Sequence, residues 1–235
     1  MTSGSPESFW DERAREQALF FVDNTVDYRH PDVERFWAEG EQAVGAILAE
    51  LGVEVRATDT IVEIGCGVGR LTRALAARAA HVIALDVSGE MLARARELNP
   101  ALGNVTWLHG DGRSLAGVLD ASADGCFSHV VFQHLPDPEL TLGYVREMAR
   151  VLRPGGWAAF GVSTDPAVHR PKRRAGWRLA ALLGRGPRGQ EHPAWLGSAV
   201  PLDRLERCAG EAGLELERVL HPGTQFTLVR GRRRA

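Results

Sequence analysis

The chain is poor in several things, and each shortage excludes something. Cysteine is scarce: Cys66, Cys126 and Cys208 are the only three in 235 residues. They are odd in number and none forms a C-x-x-C pair, which argues against a disulfide framework and against a zinc site. Lysine is nearly absent. Lys172 stands alone, so 27 of the 28 basic residues are arginine, a bias that, with the alanine and glycine content, fits GC-rich coding better than a functional demand. Charge of one sign is not in excess either: the formal net charge is −2 and the sequence pI about 6.5, so no global field draws in nucleic acid or a membrane surface. No apolar run approaches 18 residues and no charged-then-apolar leader opens the chain, so the expectation is a soluble, cytoplasmic protein without a membrane partner. Repeats are absent as well. The length suits one α/β domain with an elaboration.

What is present centres on Ile61–Leu71, reading I-V-E-I-G-C-G-V-G-R-L. The run Ile61-Val62-Glu63-Ile64 has the β-branched character of a buried parallel strand. It breaks into Gly65, Gly67 and Gly69 and then into a helical pattern, an arrangement that lets backbone approach a ligand at the carboxyl edge of a sheet. The dinucleotide fingerprint G-x-G-x-x-G would need a glycine where Arg70 stands. One helix later the run His81-Val82-Ile83-Ala84-Leu85 ends in Asp86, at the interval of about twenty residues expected for a carboxylate that takes ribose hydroxyls.

E-I-G-C-G-V-G-R followed by A-L-D-V-S resembles the class I S-adenosylmethionine-dependent methyltransferases. L-R-P-G-G at Leu152–Gly156 before an apolar strand is similar to the same family, as is a terminal hairpin over Leu214–Leu220 and Gln225–Val229. The resemblance implies a Rossmann-like α/β fold: a seven-stranded, mostly parallel sheet with an antiparallel last strand and helices on both faces. It implies S-adenosyl-L-methionine as cofactor, leaving as S-adenosyl-L-homocysteine. The cofactor would rest on Glu63, Gly65, Cys66, Gly67, Gly69, Asp86, Val87 and Gln133. Met91 would cover one face of the adenine or, equally, fill the core of its helix. In His109-Gly110-Asp111-Gly112-Arg113 the family's aspartate accepts a hydrogen bond from the adenine amino group, placing Gly110, Asp111 and Gly112 at the ring; the plainer reading of Asp111 is a turn or cap before a helix over Arg113–Leu119.

The remaining segments are elaborations. Helices are expected over Ser8–Val22 and from Asp32 to a stop at Gly52, making residues 1–52 a helical segment ahead of a methyltransferase domain over 53–235. Trp10, Phe36 and Trp37 either pack on the sheet or belong to a lid, as such segments do in the family. Tyr28 and Arg29 lie in the loop placed for a lid, where an arginine could pair with the cofactor's methionine carboxylate. Helices are also expected over Val68–Arg78, Ser88–Leu98 and Glu139–Leu152, and a fourth strand over Asp124–Phe132. From Ser163 to Pro201 periodicity is lost apart from an amphipathic piece at Trp177–Leu183. That insertion carries seven basic side chains against two acidic ones, either a solvated face or a counter-charge for an anionic substrate. The arginines over Arg230–Arg234 read as a frayed, solvated tail.

Methyl transfer from a sulfonium needs an in-line nucleophile more than acid–base machinery, and positioning alone supplies roughly 7–11 kcal/mol. His134 in Gln133-His134-Leu135-Pro136, after the fourth strand, is the candidate general base; the alternative is a structural strand-to-helix turn. His169 and His192 in the insertion are secondary candidates. The turn is not the proline-rich turn of nucleic-acid amino methylation, Cys126 begins its strand rather than ending it, and no metal set is apparent. A small-molecule acceptor with an O, N or C nucleophile is the expectation. The rivals are a tRNA or rRNA methyltransferase using the basic insertion, a nicotinamide-dependent oxidoreductase, and a non-catalytic protein that binds the cofactor.

Overall fold

The computed structural model describes residues 5–169 and 192–235. The chain runs α1 (Pro6–Val22), α2 (Val33–Leu51), β1 (Thr60–Ile64), α3 (Thr72–Ala76), β2 (His81–Asp86), α4 (Gly89–Leu98), β3 (Val105–His109), β4 (Ala123–Ser128), α5 (Pro138–Val151), β5 (Leu152–Val162), α6 (Pro193–Leu196), α7 (Leu202–Glu211), β6 (Leu214–Leu220) and β7 (Thr227–Arg233). The strands form one sheet in the order β3-β2-β1-β4-β5-β7-β6. Strands β1 to β5 pair in parallel, and β7 is antiparallel to both β5 and β6. This is the Rossmann-like sheet the sequence implies.

The centre of the sheet is apolar on both faces. From β1, Val62 and Ile64 join α5 and α7 through Tyr144, Met148, Leu205 and Cys208. Ile61 faces the other way, into a core with Val44, Leu48 and Leu51 of α2 and Leu92 of α4. A third apolar cluster joins Ala14, Ala18 and Phe21 of α1 to Phe36 of α2, Val68 and Met91. Thus α1 is fastened above the carboxyl ends of β1 and β2, and it bends there: Gln17 sits at φ −164°, ψ 83°, outside the helical region.

Several helix ends follow local chemistry. Asp32 caps α2 by accepting from Arg35 N at 3.0 Å, and Gly52 closes it at φ 66°. Ser88 caps α4 by accepting from Met91 N at 3.0 Å.

Other boundaries differ from the sequence expectation. Helix α3 starts at Thr72 rather than Val68, because Gly65, Gly67 and Gly69 all take positive φ and extend the loop. No helix forms over 113–119; Asp111 instead closes a turn by accepting from Arg113 N, Ser114 N and Ser114 Oγ at 2.7–2.8 Å. Strand β4 stops at Ser128, since Val130 takes φ 57° and breaks the extended run before a short 3-10 turn over Phe132–His134. The arginine tail is no frayed end. It is the second half of β7, where Arg232 Nε donates to Glu217 at 2.7 Å and Arg230 Nη1 to the Gly52 carbonyl at 2.7 Å. The amphipathic piece at Trp177–Leu183, and the basic side chains from Arg170 to Arg188, lie outside the described residues. Among those described, no helix is long and apolar enough to cross a membrane.

Candidate functional site

The carboxyl ends of β1 and β2 and the turn that follows β4 open on a cavity of about 1870 Å³, roofed by α1 and the end of α6. Its floor is the glycine loop. Gly65 N and Cys66 N donate to the Leu85 carbonyl at 2.7 and 3.0 Å, continuing the β1–β2 ladder past the strand end. Gly65 lies at φ 75° and a side chain there would stand 2.4 Å from Val131 Cγ2; Gly67 lies at φ 53° and would meet Val22 Cγ2 at 2.7 Å. Only glycine fits the backbone and the space at both positions.

Two carboxylates are sunk beneath that loop. Asp86 accepts from Gly67 N (2.8 Å) through one oxygen and from Ser88 N (2.9 Å) through the other. Burial raises its pKa, and the amides of Ser88 and Gly67 offset part of the rise. Glu63 is 2% exposed and takes one hydrogen bond, from the Thr72 hydroxyl at 2.6 Å. Burial pushes its carboxyl up to about 7, helped by the negative charge of Asp86 and opposed by Thr72. Neither has an ion-pair partner among the described residues, so the floor is an uncompensated acidic patch. A buried acid without a counter-charge is a costly arrangement that a cationic ligand relieves.

Of the sequence-predicted residues, Glu63, Gly65, Cys66, Gly67, Asp86, Val87, Met91, Gly112, Gln133 and His134 all line the cavity. The others do not. Gly69 is the close-packing point of the loop: a side chain there would strike Trp107 at 2.8 Å and Asn99 at 2.9 Å. Gly110 backs onto Leu85, whose Cδ2 would stand 2.8 Å from any Cβ placed there, and Asp111 is occupied by its own turn. Tyr28 donates its hydroxyl to Glu16 at 2.6 Å and packs edge-on against Phe20, while Arg29 is exposed outside the cavity. Two arginines do line it: Arg35, paired with Glu39 on its own helix, and Arg70, held to Asp23 at 2.5 Å with both side chains largely buried. The second pair pins the end of α1 to the glycine loop, and nothing in the spacing of Asp23 announced it. Cys66 is unsuited to nucleophilic work, since burial pushes its thiol pKa well up.

His134 is held from the insertion side. The Trp195 carbonyl at the end of α6 lies 3.1 Å from its Nδ1, which assigns the proton to Nδ1 and leaves Nε2 with a free lone pair. Burial lowers its pKa to about 4, so the ring is neutral at physiological pH. Its walls are aromatic, with Trp10 edge-on at 5.7 Å and Trp195 tilted at 5.7 Å. Ser198 Oγ donates to the Leu135 carbonyl at 2.7 Å, so the Gln133–Leu135 turn is clamped from the same segment. His192 stacks on Phe9 at 4.3 Å and lines the cavity. His169 does not line it; its ring lies 2.7 Å from Ser163 Oγ and 2.6 Å from the Leu196 carbonyl. Among the described residues no group of three or more histidine, cysteine or carboxylate side chains could hold a metal ion.

Residues 62–160 match the model of a methyltransferase domain. The chain is 36% identical over 153 residues to a trans-aconitate 2-methyltransferase of an Azoarcus species, covering 63% of this chain and 56% of that protein. It is 34% identical over 129 residues to a malonyl-[acyl-carrier protein] O-methyltransferase of Pectobacterium atrosepticum, covering 55% and 46%. It therefore spans about half the length of these curated relatives. Among solved structures it is similar to the N-methyltransferase NodS of Bradyrhizobium japonicum in complex with S-adenosyl-l-homocysteine (TM-score 0.62, 16% identity, 98% of this chain and 99% of that one). It is also similar to a methyltransferase of Haloferax volcanii, described as putative, in complex with the Trm112 activator (TM-score 0.64, 22% identity, full coverage of both). At these identities the structures speak for the fold.

Proposed function

We propose that the chain, a member of the class I S-adenosylmethionine-dependent methyltransferases, moves the methyl group of S-adenosylmethionine to an O, N or C atom of a small molecule. The observation that carries this reading is the acidic floor: two buried carboxylates without a counter-ion among the described residues, beneath a loop that tolerates no side chain. A cofactor with a sulfonium, an ammonium and a ribose diol suits that floor in charge and in hydrogen-bonding capacity; a second phosphate-bearing nucleotide does not.

When bound, the cofactor supplies an electrophilic methyl on sulfur. The chain's residues do the rest. The backbone of Gly65, Cys66 and Gly67 gives close approach, and Asp86 accepts the ribose hydroxyls with the lone pairs its two amide bonds leave free. Glu63 offers negative charge to the cationic end. Val87, Met91 and Gly112 bound the adenine side, so ring recognition in this assignment does not call on Asp111. Gln133 closes the side towards β4. The acceptor occupies the aromatic part of the cavity between Trp10, Trp195 and His134. There, exclusion of water and alignment with the methyl supply most of the rate. His134 receives the acceptor's proton at Nε2. With a pKa near 4 it is a hydrogen-bond acceptor first and a base only as charge develops on the nucleophile.

The test is transfer of isotopically labelled methyl from S-adenosylmethionine to a panel of small carboxylic acids, phenols and amines, with bulk tRNA as the contrast. Label on a small molecule is expected. Label on RNA alone would overturn the acceptor assignment.

A further inference from the structure

His129 is a cavity residue with no role so far. It follows β4 directly, is half-buried and lines the cavity. Its placement is set by the turn it sits in. The next residue, Val130, takes φ 57°, a left-handed conformation unusual for a β-branched side chain and characteristic of functional turns. Behind it the ring packs on β5, its Nδ1 within ordinary van der Waals reach of Gly161.

The two nitrogens of this ring are not equivalent. Nδ1 is buried against β5 and has no hydrogen-bond partner among the described residues. A proton there would be a buried donor without an acceptor, the rarer and costlier of the two unsatisfied states. The proton is therefore assigned to Nε2, on the opposite edge of the ring. His129 thus presents an N–H to the cavity, where His134, with Nδ1 tied to the Trp195 carbonyl, presents a lone pair. Burial and the charge of Arg70 keep the His129 ring neutral, and Arg70 acts on it more strongly than Asp23 does. An N–H on a neutral ring calls for a hydrogen-bond acceptor, and the strongest acceptor on the cofactor's tail is its carboxylate.

We propose that His129 donates a hydrogen bond from Nε2 to the amino-acid carboxylate of the bound cofactor, a positioning contact made by this chain's own strand-end turn. The inference rests on the cofactor assignment above. It gives the cofactor's zwitterionic tail two distinct receivers: the acidic Glu63 floor for the cationic groups and the His129 N–H for the carboxylate. It also explains why the exposed Arg29 is not needed for that role.

The experiment is calorimetric titration of wild type, H129L and H129Q with S-adenosylhomocysteine and, separately, with 5′-methylthioadenosine, which lacks the amino-acid tail. Thermal unfolding of each variant runs in parallel. A hydrogen bond to a charged group sets the expected loss in H129L at roughly 10- to 100-fold for S-adenosylhomocysteine, with 5′-methylthioadenosine binding as wild type. H129Q, whose amide nitrogen stands near the Nε2 position, is expected to recover most of the loss. The proposal is overturned if H129L keeps wild-type affinity for S-adenosylhomocysteine, if both ligands weaken equally, or if H129Q is as weak as H129L. A wild type that binds neither ligand would instead overturn the cofactor assignment beneath it.

Discussion

Glu63 makes the account measurable without any knowledge of the acceptor. Burial holds its carboxyl near 7 against an ordinary value of 4.5. The unfolded chain ionises the group freely above 4.5, whereas the folded chain resists ionisation until about 7. Raising the pH across that window therefore favours the unfolded state progressively, and the penalty levels off above 7. At 1.36 kcal/mol per pH unit the full gap is worth about 3 kcal/mol. Roughly 1 kcal/mol of it is already present at pH 5, so wild type loses about 2 kcal/mol between pH 5 and pH 8 from this residue alone. In E63Q the side chain stays uncharged and its oxygen can still accept from the Thr72 hydroxyl. The half-buried His129 and His134, which also titrate, are common to both proteins and cancel in the difference. The assay is urea unfolding of the ligand-free proteins at pH 5, 6, 7 and 8, with slopes compared to confirm that the unfolded states match. E63Q should be the more stable protein at pH 8, with an advantage that shrinks by about 2 kcal/mol at pH 5. Parallel stability curves would refute the claim that an uncompensated acid lies under the glycine loop.

Three further outcomes follow from the same geometry. D86A leaves the amides of Gly67 and Ser88 without their acceptor, at about 1–3 kcal/mol each, and should lose S-adenosylhomocysteine binding by calorimetry along with a clear drop in unfolding midpoint. H134A should keep S-adenosylhomocysteine affinity while turnover on the identified acceptor falls by roughly 10²- to 10⁴-fold; unchanged turnover would return the residue to a structural turn. D23N removes the partner of Arg70 at the joint between α1 and the loop, and should cost about 1–3 kcal/mol. Faster proteolysis within 6–23 should accompany it, whereas unchanged cleavage would mean the helix is held by its apolar contacts alone.

The parts of the site legible in the sequence are those where spacing and chemistry coincide. Gly65, Gly67 and Asp86 could be read because a strand, a loop without side chains and an acid one helix later have few other uses. The antiparallel final strand was legible from the hairpin, but its extent was not. Arg230, Arg232 and Arg233 are held by Glu217 of β6 and by the carbonyls of Gly52, Gly155 and Ala212, and a run of arginines looks the same whether solvated or paired in this way. The end of β4 was opaque for a different reason. A valine at positive φ has no compositional signature, so the turn that presents His129 reads as uninterrupted strand. Asp111 and Arg29 were placed by their position in the chain. The structure gives Asp111 to its turn and leaves Arg29 outside the cavity, while the buried cation Arg70 is matched to an aspartate 47 residues earlier.

The central claim is that the cavity above the acidic floor takes S-adenosylmethionine, and the direct measurement is calorimetric titration of the wild-type protein with S-adenosylhomocysteine and, separately, with NAD. Micromolar binding of S-adenosylhomocysteine with no heat from NAD is the predicted result. Binding of NAD with no heat from S-adenosylhomocysteine would contradict the assignment of the glycine loop and the function built on it.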